Sequence, residues 1–127
     1  MLPRPAPSTV LLCRGCCCGT AAKHPGTDHD GQEQAVRDAV GARPDVELRV
    51  VDCLDECDRS NVVVLRRAGR PARDRDTWLG GVLAGRATAA LAAWLGDGAP
   101  EPVPAPLAGH RFRHLPPARS ARARGRR

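Results

Sequence analysis

The stretch V-V-D-C-L-D-E-C-D-R-S-N-V-V-V-L, residues 50–65, joins two apolar runs through an acidic turn that carries two cysteines. Its upstream end completes V-E-L-R-V-V, 46–51, which alternates as a strand with one solvated face does. N-V-V-V-L, 61–65, is apolar after its first residue and reads as a buried strand. Cys53 and Cys57 are thereby placed in one turn between two strands.

Upstream, T-V-L-L-C, 9–13, is a short apolar run with a β-branched start, a third strand. Residues 14–29 read as a long loop with Gly15, Gly19, Pro25 and Gly26. D-G-Q-E, 30–33, has the form of a capping box, with Asp30 as N-cap and Glu33 three residues on. Ala35, Val36, Ala39 and Val40 follow as one apolar helical face, with Gly41 expected as the C-terminal cap and Pro44 as the stop. Downstream, 66–76 read as a hairpin loop and T-W-L-G-G-V, 77–82, as an edge strand. A-T-A-A-L-A-A-W-L, 87–95, is a strong helix former, ended by Gly96 and Gly98. The order β-α-β-β-β-α fits a small α/β sandwich of the thioredoxin type.

The expected domain is residues 8–97. Residues 1–7 carry three prolines and read as a flexible arm. Residues 98–127 are rich in Pro and then Arg, show no periodicity, and read as a disordered tail. The charge divides at the same boundary. Residues 1–97 hold 13 Lys+Arg and 13 Asp+Glu, whereas 98–127 hold seven Arg against Glu101 alone, so the whole excess of +6 sits in the tail. With nineteen arginines, one lysine and much Ala, Gly and Pro, this reads as the codon bias of a G+C-rich bacterial genome. No nucleic-acid partner is expected of the tail, which lacks interleaved aromatics apart from Phe112.

Only Trp78, Trp94 and Phe112 are aromatic, so the core must be mostly Val, Leu and Ala. A core that thin is helped by a metal or cofactor. The N-terminus has no apolar stretch of signal-peptide length and no segment approaches the roughly 18 apolar residues of a membrane span. A cytoplasmic protein without a membrane partner is expected. In that compartment thiols stay reduced, and clustered cysteines argue for metal or redox chemistry.

The six cysteines form two groups, Cys13, Cys16, Cys17 and Cys18, then Cys53 and Cys57. Each group follows the C-terminal end of a predicted strand. If those strands are neighbours in a parallel sheet, both loops emerge at the same edge and four thiols can converge. Thiolate-only sites suit zinc or iron–sulfur clusters. Zinc ribbons use paired C-x2-C knuckles, and Cys13-x2-Cys16 with Cys53-x3-Cys57 fits them loosely. The single-run cysteine patterns of bacterial and plant-type ferredoxins are absent, and His24 and His29 are not spaced as Rieske ligands.

V-L-L-C-R-G-C-C-C-G with V-V-D-C-L-D-E-C-D-R-S-N-V-V-V-L, and W-L-G-G-V before the last helix, resembles the thioredoxin-like [2Fe–2S] ferredoxins. The same module forms the small cluster-binding subunit of respiratory complex I and of related hydrogenases. The resemblance covers about residues 8–96. It implies one [2Fe–2S] cluster on Cys13, Cys18, Cys53 and Cys57, with Cys17 and Cys16 competing for the role of Cys18. It implies an electron carrier between redox partner proteins, not an enzyme, and a possible homodimer. The loop carboxylates Asp52, Asp55, Glu56 and Asp58 would disfavour an added electron and could face a basic partner.

Two other readings use the same cysteines. One is a zinc-binding structural module. The other is a thiol–disulfide oxidoreductase, in which Cys13-Arg14-Gly15-Cys16 is a C-x-x-C motif and Arg14 lowers a thiol pKa. The second requires the motif to open a helix, and it leaves Cys53 and Cys57 without a role. His24 and His29 read as hydrogen-bonded loop residues, Trp78 and Trp94 as core, and Asn61 as a strand-initial residue bonded to the Cys57 turn.

Overall fold

The sheet is organised around β1 (Ser8–Cys13), whose sequence S-T-V-L-L-C is buried at nearly every position. The computed structural model describes residues 7–15 and 20–114. On one side β1 pairs in parallel with β2 (Val46–Val51), and on the other it runs antiparallel to β3 (Val63–Arg67). A parallel pair cannot be joined by a tight turn. The crossover is supplied by α1 (His29–Gly41). β4 (Asp76–Leu79) pairs antiparallel with β3, and β5 (Arg111–Phe112) with β4, giving a five-stranded mixed sheet of order β2-β1-β3-β4-β5. Helices α2 (Ala72–Arg75), α3 (Gly85–Gly96) and α4 (Ala105–Ala108) complete a mixed α/β fold.

Alternation along the strands divides the apolar residues between two faces. Val10, Leu12, Val63, Leu65 and Leu79 form one cluster with Val36 and Val40 of α1 and Leu91, Trp94 and Leu95 of α3. Both long helices therefore lie on that face. Leu11, Cys13, Val62 and Val64 form a smaller cluster on the other, with Val51, Leu54, Trp78 and Phe112 against it. Gln32 of α1 locks the helix layer, its Nε2 donating to Val82 O at 2.8 Å and Thr88 Oγ1 at 2.9 Å.

β2 spans the expected residues and β1 starts one earlier, but other boundaries differ. The N-cap of α1 is Asp28, not Asp30: its carboxylate accepts the Gly31 N–H at 2.9 Å. Glu33 is held by arginines instead of reaching back to the cap. Gly41 belongs to α1, and Ala42 is the C-cap. β3 starts at Val63 because Asn61 serves a buried hydrogen-bond network, and it runs on to Arg67 against Ser8. The expected loop 66–76 contains α2. β4 is not an edge strand, since β5 covers its outer side.

The largest correction concerns residues 98–114, which belong to the fold. Ala99 and Leu107 are fully buried in the helix-side core, and Trp94 Nε1 donates to Pro100 O at 2.8 Å. Arg70 pairs with Glu101 at 2.6 Å. Prolines 100, 102, 104 and 106 hide this segment from periodicity, yet they cost it little: α4 starts directly after Pro104, where a missing N–H is harmless. Of the expected N-terminal arm, Pro7 accepts the Ala68 N–H at 2.8 Å. Residues 1–6 and 115–127 lie outside the described residues. Among those described, no helix is long and apolar enough to cross a membrane.

Candidate functional site

Parallel pairing sets the geometry of the cysteine edge. Cys13 stands level with Val51, so the segments that follow β1 and β2 leave the sheet together. Arg14 N donates to Val51 O at 2.8 Å and carries the β1 chain alongside β2 for one more residue. Gly15 then passes against Asp52, where a Cβ would stand 2.7 Å from the Asp52 carbonyl oxygen. Only glycine permits that approach.

Cys13 and Cys53 occupy this edge in different environments. Cys13 is buried, its Sγ 3.7 Å from the Asp52 carbonyl oxygen, which accepts from the thiol. Cys53 is exposed, and its Sγ accepts the Asp55 N–H at 3.3 Å. That contact needs a sharp reversal, and Asp55 makes it with φ of 60°, a region that Asp and Asn tolerate better than most residues. Cys57 begins a short 3-10 turn ending at Arg59. Cys16, Cys17 and Cys18 lie outside the described residues, as does the side chain of Cys57. Among the described residues, no group of three or more His, Cys, Asp or Glu side chains gathers as a metal site.

Three sets of contacts hold the two loops in place. The first is Arg14, whose Nη1 lies 3.0 Å from Asp30 and 2.8 Å from Glu33. Burial works against the Arg14 charge, but the hydrogen bonds to Glu33 and Asp30 outweigh it and hold the guanidinium above its ordinary pKa. Hydrogen bonds from Arg37 and then Arg14 keep the Glu33 carboxyl below the usual carboxylate range. Arg14 thus ties the first cysteine loop to α1.

The second set is a buried polar network. Asn61, wholly buried, donates through Nδ2 to His29 Nδ1 at 3.0 Å and to Gln32 Oε1 at 3.1 Å. With Nδ1 accepting, His29 presents its proton on Nε2, which lies 2.9 Å from the His24 carbonyl oxygen. His24 Nε2 in turn meets Ser60 Oγ at 3.0 Å. Both histidines are hydrogen-bonded as expected, but only His24 lies in the loop, since His29 is the buried first residue of α1. Asn61 serves α1 with its side chain, a role that the sequence reading did not assign to it.

The third set turns on His114, which sequence reasoning missed. His114 Nδ1 lies 2.6 Å from Glu56 Oε2, and its ring stacks on Trp78 at 4.0 Å. Trp78 is half-buried on the face opposite the long helices, whereas Trp94 is core. His114 lay in the segment read as tail, and a lone histidine among prolines and arginines gives no periodic signal. Asp52, Asp55 and Asp58 remain exposed around the cysteines. Neither a protein-family model nor a curated protein matches this chain.

Proposed function

We propose that this chain is a small electron carrier that binds one [2Fe–2S] cluster through Cys13, Cys18, Cys53 and Cys57 on a thioredoxin-like fold. The observation that carries the reading is the parallel register of Cys13 with Val51, which sends both cysteine-bearing segments off one sheet edge in contact with each other. The β-α-β unit followed by an antiparallel β3–β4 pair and α3 supports the thioredoxin-like assignment.

The donor set suits the group. Thiolates are the ligands that iron–sulfur clusters take, and N–H donors to sulfur favour the charged form. When bound, such a cluster accepts and releases one electron. The chain's own residues do the remaining work. Cys13 brings a ligand out of the core, while Cys53 brings one from the solvent side. The Asp55 amide shares the charge on Cys53, and Gly15 allows the loops to meet. Exposed Asp52, Asp55 and Asp58 place negative charge where a basic redox partner would dock. The C-x-x-C oxidoreductase reading is weakened because, among the described residues, the first helix after Cys13-Arg14-Gly15-Cys16 is α1, which begins only at His29.

The deciding experiment is a visible absorption spectrum of protein purified without oxygen, with iron and sulfide assayed on the same sample. Charge-transfer bands with about two irons and two sulfides per chain support the proposal. A colourless protein after reconstitution, holding zinc or no metal, rejects it.

A further inference from the structure

We propose that the cleft between α2 and β5 binds a nucleoside phosphate. The cleft encloses about 840 Å³. This is within the roughly 300–1,000 Å³ of small-molecule sites. It opens on the face opposite α1 and α3, and its position there follows from strand register. Trp78 stands opposite Phe112 in the β4–β5 ladder, so both rings project from one face. Their centroids are 5.8 Å apart in an edge-on arrangement, and His114 lies flat on Trp78.

The chain has only three Trp and Phe residues and no Tyr, yet two of the three line this one cleft. Arg59 lies over the Phe112 ring at 4.5 Å and His114 covers one face of Trp78, and what the half-buried rings leave open toward the cleft is the surface on which a planar base would pack. The remainder of the lining is Ala72 and Ala108 with three arginines and two aspartates. Arg73, Arg111 and Arg113 are all exposed around it. Of its two carboxylates, Asp76 is already gripped by Arg66 at 2.9 and 3.1 Å, and Asp74 lies 4.0 Å from Arg73. Among the described residues, neither Arg111 nor Arg113 forms a salt bridge within 4.0 Å, although Glu101 lies within electrostatic reach of Arg111. Guanidinium forks match phosphate oxygens in pairs, and they stack on rings as well. An aromatic wall beside arginines therefore fits a ligand with a planar ring at one end and phosphate at the other. The inference does not rest on the cysteine site.

The test is calorimetric titration of the full chain with ADP, and with inorganic phosphate and adenosine separately. ADP should bind saturably, and more tightly than either half alone. The double variant Arg111→Gln with Arg113→Gln alters only exposed side chains. It should weaken ADP about tenfold or more, as expected for lost charge-assisted hydrogen bonds, and leave adenosine binding unchanged. Trp78→Leu should weaken both ADP and adenosine. Cys53→Ser should bind ADP as the parent does, so failure of the cluster reading and failure of this one are separate results. No saturable heat with ADP overturns the proposal. So does binding that the arginine variant leaves unchanged, or binding of an acidic peptide in preference to the nucleotide.

Discussion

Gly15 and Asp52 stand so close that no side chain fits between them: a Cβ on Gly15 would lie 2.7 Å from the Asp52 carbonyl oxygen and 3.0 Å from its Cα. Both are backbone atoms and cannot rotate away. Gly15→Ala should therefore push the two cysteine loops apart at a cost of about 1–3 kcal/mol, the usual range for overpacking. The loss is read as a lower urea midpoint, and iron per chain should fall with it. Gly41→Ala is the control. Gly41 ends α1 with nothing within 4 Å of its Cβ position, so alanine there should stabilise by about 0.5 kcal/mol. A Gly15→Ala protein as stable as its parent would show that the loops do not depend on this contact.

Asn61 gives the second prediction. Its side-chain amide is fully buried and satisfies both His29 Nδ1 and Gln32 Oε1. Asn61→Ala leaves two buried acceptors without their donor, at an expected cost of about 2–3 kcal/mol in chemical denaturation. Because Gln32 shares the network, Asn61→Ala and Gln32→Ala should cost less together than the sum of the two singles. Strict additivity would mean that the network is not a unit.

The C-terminal boundary can be tested by truncation. A chain ending at Asp97 loses Leu107, which is fully buried, and β5, which pairs with β4. Leu107→Ala alone should cost about 2–5 kcal/mol, so that truncation should abolish a cooperative thermal transition. A chain ending at His114 keeps every described contact and should melt close to the full-length temperature. Equal melting of both truncations would return the boundary to residue 97.

That contrast shows what the sequence could and could not convey. Strands β1 and β2 were legible because their burial matches local patterns, an apolar run and an alternation. So was the placing of Cys13 and Cys53 at strand ends, which the parallel register then brings to one edge. Segment 98–114 was hidden because its buried residues, Ala99 and Leu107, are far apart and separated by prolines that erase any period. The α1 start slipped by two residues because Asp28 and Asp30 are chemically alike, and only backbone geometry shows which one caps. Pairing of His114 with Glu56 joins positions 58 apart in sequence, a contact that no local pattern encodes.

Arg14 and Glu33 yield a pH prediction. Arg37 and Arg14 hold the Glu33 carboxyl below its ordinary value. The folded chain therefore binds fewer protons there than the unfolded chain does. The stabilisation is complete above the ordinary carboxylate range, near pH 4.3, and is lost as pH falls through it toward the lower folded value. Both partners are about a quarter exposed, at 24% and 23%, so the contribution is small. It should be roughly 0.5 kcal/mol. Glu33→Gln should remove that part of the acid sensitivity while leaving the slope above pH 6 unchanged. An identical acid profile in the variant would mean that solvent already screens the pair.

Asp55 separates charge from hydrogen bonding at the proposed centre. Its N–H donates to Cys53 Sγ, and its side chain adds a carboxylate beside the same sulfur. Asp55→Asn keeps the N–H and tolerates a φ of 60° as well as Asp does, so only the charge is lost. Removing a negative charge favours the added electron, and the midpoint potential should rise. For a partly solvated site the effect is on the order of 1 kcal/mol, about 40 mV for one electron. Asp55→Pro removes the N–H and cannot adopt that φ, so it should lose iron rather than shift the potential. A redox titration followed by electron paramagnetic resonance reads both variants. An unchanged potential in Asp55→Asn with iron retained would make the acidic turn a solvated surface that leaves the tuning to the Asp55 amide and to burial. A rise would assign the turn a direct part in setting the potential.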